Sequence, residues 1–547
     1  MHLDSESSFD VAVLGSGVSG AVLGLILASQ GVRVVMIESG VHPRFAVGES
    51  TIPHTSMLSS MLAEQYGLPE LEIIAYPERI AQEVCSTCGI KRAFGFAYHR
   101  AGQEYDPAEG LLVGTSSKDE THLFRQDVDS WLTYAAVQRG AELRQGTVVE
   151  SVEIDDAGVT LGTNTGVINA RYLVDGSGFR SVLADRNQLR EEPTRFAHHS
   201  RSLFTHMVDV GVFDEGNPMQ IPWEQSTMHH IFDRGWFWVI PFNNWEGSTN
   251  PLVSVGLTVD PRVHPKPVGV SPQEEFQQFL DLFPAVARQF ANARAVRPWV
   301  STDRLQYSAR RGVGYRWCLM SHANGAVDPL FSRGMVNTLE VTAALVGPLL
   351  EALEEDDFRE ERFEHIEELH RRVLDYNDAL VSNAFVSWAD FDLWNAWLRV
   401  WGLGTIPLEF RLMNSLADYT STRDPKHLSG DVAKPKFSDF EDPDYAEFFD
   451  RAVLLMDGFR CGERTAAETA SNLFELTGAY EFPIVMRADA MQRAGWLSDQ
   501  ATMSQRNMEF ARSGFRWALT NPDTHDLFGN AETFYRWRAR RSDPHLV

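Results

Sequence analysis

Two periods of apolar residues divide the chain. Val11–Leu14 is a short β-branched apolar run that reads as a buried strand, Ala21–Gln30 has helical composition, and Val32–Ile37 reads as a second strand. A loop rich in turn-formers, His42–Thr55, leads to a helix near Ser56–Tyr66. Residues 70–125 mix short strands with polar loops. Within them Gly89–Arg100 alternates, with Ile90, Arg92, Phe94, Phe96 and Tyr98 on one face and Lys91, Ala93, Gly95 and Ala97 on the other. Phe124–Arg139 has helical periodicity and leads into a strand-rich segment, Thr147–Asp175. Residues 196–305 return to strand-like runs and loops. There, on a strand over Gly235–Phe242, Trp236, Trp238 and Ile240 share one face, and Pro241 ends the ladder because it has no N–H. A strand at Trp317–Met320 precedes a helix from about Asn337 to Leu353, and the rest is mostly helical, with a tryptophan-rich patch from Trp388 to Trp401 and one linker, Asp424–Pro443.

The junction of the first strand and helix carries the first chemistry. Gly15, Gly17 and Gly20 allow, in turn, a tight turn, close approach of a pyrophosphate to the backbone, and close helix–strand packing. The helix N-terminus offers unpaired N–H groups and a favourable dipole. Glu38 ends the second strand about 20 residues further on, where a ribose hydroxyl is expected. Gly24, one turn after Gly20, lets the helix lie close to the sheet. Strand, glycines, helix, strand and acid in register predict a dinucleotide-binding α/β unit.

Composition narrows the partners. With 49 Lys+Arg against 75 Asp+Glu the net charge is −26, which argues against nucleic acid and against an anionic membrane surface. The longest apolar stretches fall short of the roughly 18 residues of a spanning helix, and the polar start MHLDSESS is no signal or transit peptide. A cytoplasmic protein is expected. Of the four cysteines, Cys85 and Cys88 have CxxC spacing without a second pair, so they read as two reduced thiols on a loop. The neighbouring pairs His198-His199 and His229-His230 point in different directions and no HExxH occurs, so no metal is expected. Lys91 is unusual in sharing its predicted face only with very small residues.

Further stretches add a resemblance. ARYLVDGSGFRS (170–181) resembles the second fingerprint of the flavin-dependent monooxygenase superfamily, and Pro329, Gly334 and Asn337 fit its third, in which a helix N-terminus points at the flavin ring. GWFWVIP matches the WxWxIP signature of the flavin-dependent halogenases, and Gly48-Glu49-Ser50 and the lysine of GIKRAFGF match their flavin loop and catalytic lysine. Most of the chain, from Phe9 to about Arg411, resembles the subgroup containing the aminopyrrolnitrin-pathway pyrrole halogenase and the chlortetracycline halogenase.

This resemblance implies a glutathione-reductase-type (Rossmann-like) FAD-binding fold of the α/β class. The fold would be discontinuous over about 9–50, 124–190 and 310–345, with an inserted mixed β-sheet substrate region (51–123, 191–309) and a helical C-terminal region (346–547). It also implies a chemistry. FAD, supplied as FADH2 by a separate flavin reductase, works with O2 and chloride (or bromide) to make hypochlorous acid, which Lys91 relays to an aromatic ring. Trp236, Trp238, Ile240 and Pro241 would shield the flavin. Gly15, Gly17, Gly20, Glu38, Gly48, Glu49, Ser50, Arg125, His322 and Asp328 would bind it. Ser332, Arg333 and Gly334 would hold chloride, and Phe331 and Phe94 would line the substrate pocket. A free small-molecule aromatic is favoured over a carrier-tethered one, and an aromatic monooxygenase is the alternative activity.

The chain departs from the family pattern at two places. Tryptophan halogenases carry a glutamate where this chain has Phe331, so the expected substrate is a ring that is already activated, a phenol or a pyrrole, unless His206 or Glu340 supplies a base. The usual Gly-Asp of the third signature is Ser321-His322, leaving His322 and Asp328 as candidates for the ribityl chain.

Overall fold

The first strand, Ser8–Leu14, sits between Val34–Glu38 and Gly166–Asp175 and runs parallel to both. The computed structural model describes residues 8–115, 119–213, 221–424, 426–429 and 442–481. The sheet continues through Trp317–Leu319 on one side and Glu142–Gln145 on the other, and the antiparallel pair Val149–Asp155 and Gly158–Thr163 extends from Gly166–Asp175. Parallel neighbours need a crossover, which the helix Val18–Ser29 provides. Nearly every residue of that helix is buried, and a Cβ at Gly24 would lie 2.6 Å from Met36 Sδ, so glycine is what lets the helix lie against the sheet.

A second eight-stranded sheet lies in the inserted region. Gly235–Pro241 runs between Ser226–Phe232 and Val253–Val259, antiparallel to both, and Ala93–Tyr98 pairs parallel to Ser226–Phe232. Alternation sends Phe94, Phe96, Tyr98, Trp236, Trp238 and Ile240 to the large core, and Ala93, Ala97, Phe237 and Val239 to a second one. The C-terminal helices Glu364–Ser387, Phe391–Thr422, Pro443–Arg460 and Ala466–Ala479 complete the large core, with Trp388, Trp394 and Trp397 fully buried.

Several expectations change. The helix expected near Ser56 starts at Pro53, whose missing N–H costs nothing at a first helical position, and four unexpected helices also open on proline: Pro69–Ile73, Pro77–Glu83, Pro272–Leu280 and Pro284–Gln289. The helix at the third signature runs over Gly334–Glu355. By length and composition it could cross a membrane, against the expectation of only short apolar stretches, but 67% of its apolar window is buried inside the protein.

The alternation over Gly89–Arg100 breaks at Arg92, between the strands Gly89–Lys91 and Ala93–Tyr98. The first pairs with Glu120–His122 and the second joins the large sheet, so the register of faces does not carry across. Lys91 therefore lies against Phe94, not on the face of Ala93 and Gly95. Most of the linker at Asp424–Pro443, and everything beyond residue 481, lie outside the described residues.

Candidate active site

The glycine turn is shaped for a phosphate-bearing group. Gly15 has φ +82°, and a Cβ at Gly20 would lie 2.0 Å from Gly15 O, so both positions demand glycine for the fold itself. Gly17 differs. Its backbone is ordinary (φ −69°, ψ −175°), it caps the helix without a side-chain bond, and the nearest atom to an added Cβ is the guanidinium of Arg44 at 3.2 Å. An open helix N-terminus, the unpartnered buried Ser19 Oγ, and a cation above the turn fit a dinucleotide pyrophosphate.

Beside the turn, Glu38 Oε1 accepts from Gly40 N (2.9 Å), and Oε2 accepts from Ser16 N (3.1 Å) and Arg44 Nη2 (3.1 Å). Burial works to raise the Glu38 pKa, but these donors outweigh it and hold the carboxyl below its usual range. An anionic acceptor at the end of the second strand suits a ribose hydroxyl. Arg44 was not singled out from the sequence, although its place six residues after Glu38 could have drawn notice.

Around Lys91 the elements of the inserted region converge. The side chain is fully buried. Nζ donates to Ser50 Oγ (2.8 Å) and to Thr51 O (2.9 Å), and lies 3.5 Å from the centroid of the Phe94 ring. Directly across the strand pair is Glu120, which accepts from Ser56 Oγ at 2.6 Å. Burial drives the Lys91 pKa well below its ordinary value, and the Glu120 charge opposes this only in part.

The hydrogen bonds beyond Lys91 have one consistent direction. Pro241 O can only accept, so His122 Nδ1 carries the proton of their 3.0 Å contact. His122 Nε2 must then accept from Thr227 Oγ1 (3.1 Å), Thr227 from Ser50 (2.7 Å), and Ser50 from Lys91. The chain thus runs from the lysine to the last residue of the tryptophan strand. Burial pushes His122 down to about 3, which keeps its ring neutral as this arrangement requires. Thr227 and His122 come from strands far apart in sequence, and no spacing signal marks them.

The tryptophan strand forms the expected wall. Trp236 and Trp238 have ring centroids 5.7 Å apart, and Trp236 stacks on His229 at 5.0 Å. Trp238 lies flat over Gly256, where a Cβ would come within 2.1 Å of the indole, and its Nε1 donates to Ser254 Oγ at 3.3 Å. Ser254 donates on to Glu49 Oε2 (2.8 Å), and His206 Nε2 meets Glu49 Oε1 (2.8 Å). The Glu49 carboxylate is therefore held by Ser254 and His206 of the sheet. His206, bound to it, is no free base. Gly48 (φ +89°) turns the loop, and Arg125 donates to its carbonyl and to that of Val47 while pairing with Asp129.

At the third signature the two ribityl candidates separate. Asp328 accepts from His198 Nε2 (3.1 Å), Ser200 Oγ (2.8 Å) and Leu330 N (3.1 Å), so its carboxylate braces the loop. His322 is exposed, and its Nε2 would stand 3.1 Å from a Cβ at Gly334, the first residue of the long helix. Ser332 turns the chain with φ 54°, placing the backbone of Arg333 and Gly334 at that helix start. The Arg333 side chain leaves the turn, however. It is buried, with Nη2 3.8 Å from Glu340 Oε1 and the guanidinium over Tyr376, so only its backbone remains near an anion at the helix start. Glu340, with Arg333 and with His54 at 3.8 Å, is likewise engaged in the interior.

A small pocket of about 20 Å³, partly open to solvent, lies beside Phe94, between Ile52, Pro53, Val113 and the C-terminal residues Trp401, Thr405, Ile406 and Glu409. Phe94 lines this pocket. Phe331 does not: it is buried behind, against Trp401 with centroids 4.8 Å apart. That the C-terminal helix Phe391–Thr422 closes this pocket was not legible in the sequence. The Cys85 and Cys88 thiols lie 3.8 Å apart, with Phe124 N donating to Cys88 Sγ.

Comparison with known proteins agrees with this arrangement. The FAD binding domain family matches residues 8–312. Tetracycline 7-halogenase of Kitasatospora aureofaciens is 46% identical over 85% of this chain and 86% of its own length. Monodechloroaminopyrrolnitrin halogenase PrnC of Pseudomonas fluorescens is 44% identical over 87% and 86%. The crystal structure of halogenase PltM in complex with phloroglucinol and FAD superimposes with TM-score 0.82 at 34% identity, covering 86% of this chain and 95% of that one. With the glycine turn, the buried lysine and the tryptophan wall in one molecule, this chain belongs to the flavin-dependent halogenases.

Proposed function

We propose that the enzyme halogenates a free, electron-rich aromatic small molecule of phenol or pyrrole type, with Lys91 passing the halogen from oxidant to ring. The observation that carries this reading is the Lys91 amine, fully buried and driven towards its neutral form, held by the Ser50 side chain of the loop that follows the nucleotide unit. FAD, reduced by a separate flavin reductase, supplies the electrons with which O2 oxidises chloride to hypochlorous acid.

The chain's own residues do the rest. Gly17, Glu38 and Arg44 would hold the cofactor's phosphate and ribose end, and His322 would meet the ribityl stretch. Backbone N–H groups at Ser332–Gly334 offer the halide a helix N-terminus. The Trp236/Trp238 wall keeps organic substrate from the flavin, so only a small oxidant passes. The neutral Lys91 amine attacks the chlorine of HOCl, and the displaced hydroxide takes the amine proton and leaves as water. The N-chloro amine then gives its chlorine to the ring and regains a proton from the substituted carbon. Neutrality matters because an ammonium has no lone pair for the first step. The names of the halogenase relatives, and phloroglucinol in the PltM crystal, favour a phenolic or pyrrolic ring.

The test supplies enzyme with flavin reductase, FAD, NADH, chloride and a panel of phenols and pyrroles. Wild type should add the mass of chlorine to at least one. Lys91→Ala and Lys91→Arg should give no product while flavin reoxidation continues, the guanidinium being permanently charged. Chlorination by the alanine variant at near wild-type rate would refute the role of Lys91.

A further inference from the structure

The pocket beside Phe94 has a polar end that neither the glycine turn, the wall nor the lysine accounts for. Its lining is apolar except for Thr115, whose hydroxyl donates to Arg92 O (3.1 Å), and one face of the C-terminal helix, where Thr405 and Glu409 stand one turn apart and so side by side. Both are more than nine-tenths buried, and neither Thr405 Oγ1 nor Glu409 Oε2 has a hydrogen-bond partner. Two adjacent unsatisfied polar groups in an aromatic pocket are costly unless something else satisfies them. Phe94 joins the two halves of the site, since it lines this pocket and also carries Lys91 Nζ on its ring.

We infer that Thr405 and Glu409 are the specificity-determining contacts of the enzyme, with Glu409 Oε2 accepting a hydrogen bond from the substrate's ring hydroxyl and Thr405 Oγ1 donating one to the same oxygen. This rests on the reading of Lys91 as the halogen relay. Burial raises the Glu409 pKa well above the carboxylate range, and the charge of nearby Glu120 adds to it, so the side chain is a neutral acid whose carbonyl oxygen accepts. Such a group suits an uncharged hydroxyl. A hydroxyl that donates to Glu409 also becomes more electron-rich, which activates the ring carbons. Phe331 removes the carboxylate that tryptophan halogenases carry at that position, and Glu409 acts on the substrate instead of the oxidant.

The experiment compares a phenol with its own methyl ether, which cannot donate, under identical supply of reductase, FAD, NADH and chloride. The quantity read is the ratio of kcat/KM for phenol over ether. Glu409→Leu should lower kcat/KM on the phenol about ten- to a hundredfold while leaving the ether little changed, so the ratio collapses. Glu409→Gln keeps a carbonyl acceptor and should restore most of the ratio. Thr405→Val, a small change that the fold tolerates, should reduce activity on the phenol more than tenfold. Phenol and ether falling in step in the leucine variant, or a ratio unmoved by all three substitutions, would overturn the inference and leave the halogenase reading intact. A wild-type enzyme that chlorinates no member of the panel would overturn both.

Discussion

Replacing Lys91 by methionine tests the charge state on which the relay depends, without any turnover. The wild-type side chain is fully buried and its pKa lies well below the 10.5 of an exposed lysine. Between those two values the unfolded chain holds a proton that the folded chain has released. Stability therefore rises with pH across this window and is lost as pH falls towards the folded value, by about 1.4 kcal/mol per unit. Methionine has no such proton. The variant also loses the bonds to Ser50 and Thr51, but that loss is the same at every pH, so the slope isolates the ionisation. For 547 residues at an unfolding entropy of about 2.1 cal/mol/K each, the total is roughly 1.1 kcal/mol/K, and each pH unit moves Tm by about 1.2 °C. Thermal melts of both proteins between pH 6 and 9 should show wild type losing stability relative to Lys91→Met on going down, by about 1.2 °C for each unit that lies above the folded pKa. Parallel curves would mean that Lys91 is protonated in the folded enzyme, and the amine mechanism would fail.

Two further outcomes follow from the same geometry. Gly17→Val should leave the fold intact, because the backbone there is ordinary and an added Cβ would meet only side-chain ends, Arg44 Nη2 at 3.2 Å and Asp129 Oδ2 at 3.6 Å. It should weaken FAD binding at least tenfold in a fluorescence titration, since the new side chain occupies pyrophosphate space; unchanged affinity would show the turn has been misassigned. Free tryptophan should be a poor substrate beside the best phenol or pyrrole at equal reductase supply. Phe331 offers no carboxylate to stabilise a cationic ring, so a higher kcat/KM on tryptophan would refute the argument.

Local pattern was enough for the nucleotide unit, the tryptophan face and the resemblance to halogenases. A glycine turn between strand and helix, and alternation along Gly235–Pro241, act over a few residues, where period and backbone freedom decide the outcome. The strand at Lys91 shows where that reasoning ends. Alternation placed the lysine among small side chains, but the break at Arg92 put two halves of one apparent strand into different sheets and turned Lys91 towards Phe94. Glu49, Asp328 and Arg333 sit in the right motifs, yet their side chains are drawn to His206, His198 and Glu340, partners supplied from more than a hundred residues away or from the next helical turns.

The pocket beside Phe94 was the least legible part. Its far wall comes from a helix some 300 residues after Phe94, and in sequence Glu409 is one charged residue in an apolar helix. Only packing removes water from that carboxyl, sets it near Glu120 and leaves its oxygen without a partner. Residue types and short-range spacing determined which chemistry this chain carries. Desolvation and the meeting of distant side chains, which exist only in the folded protein, decided which groups are neutral, which are engaged, and which stand ready for a substrate.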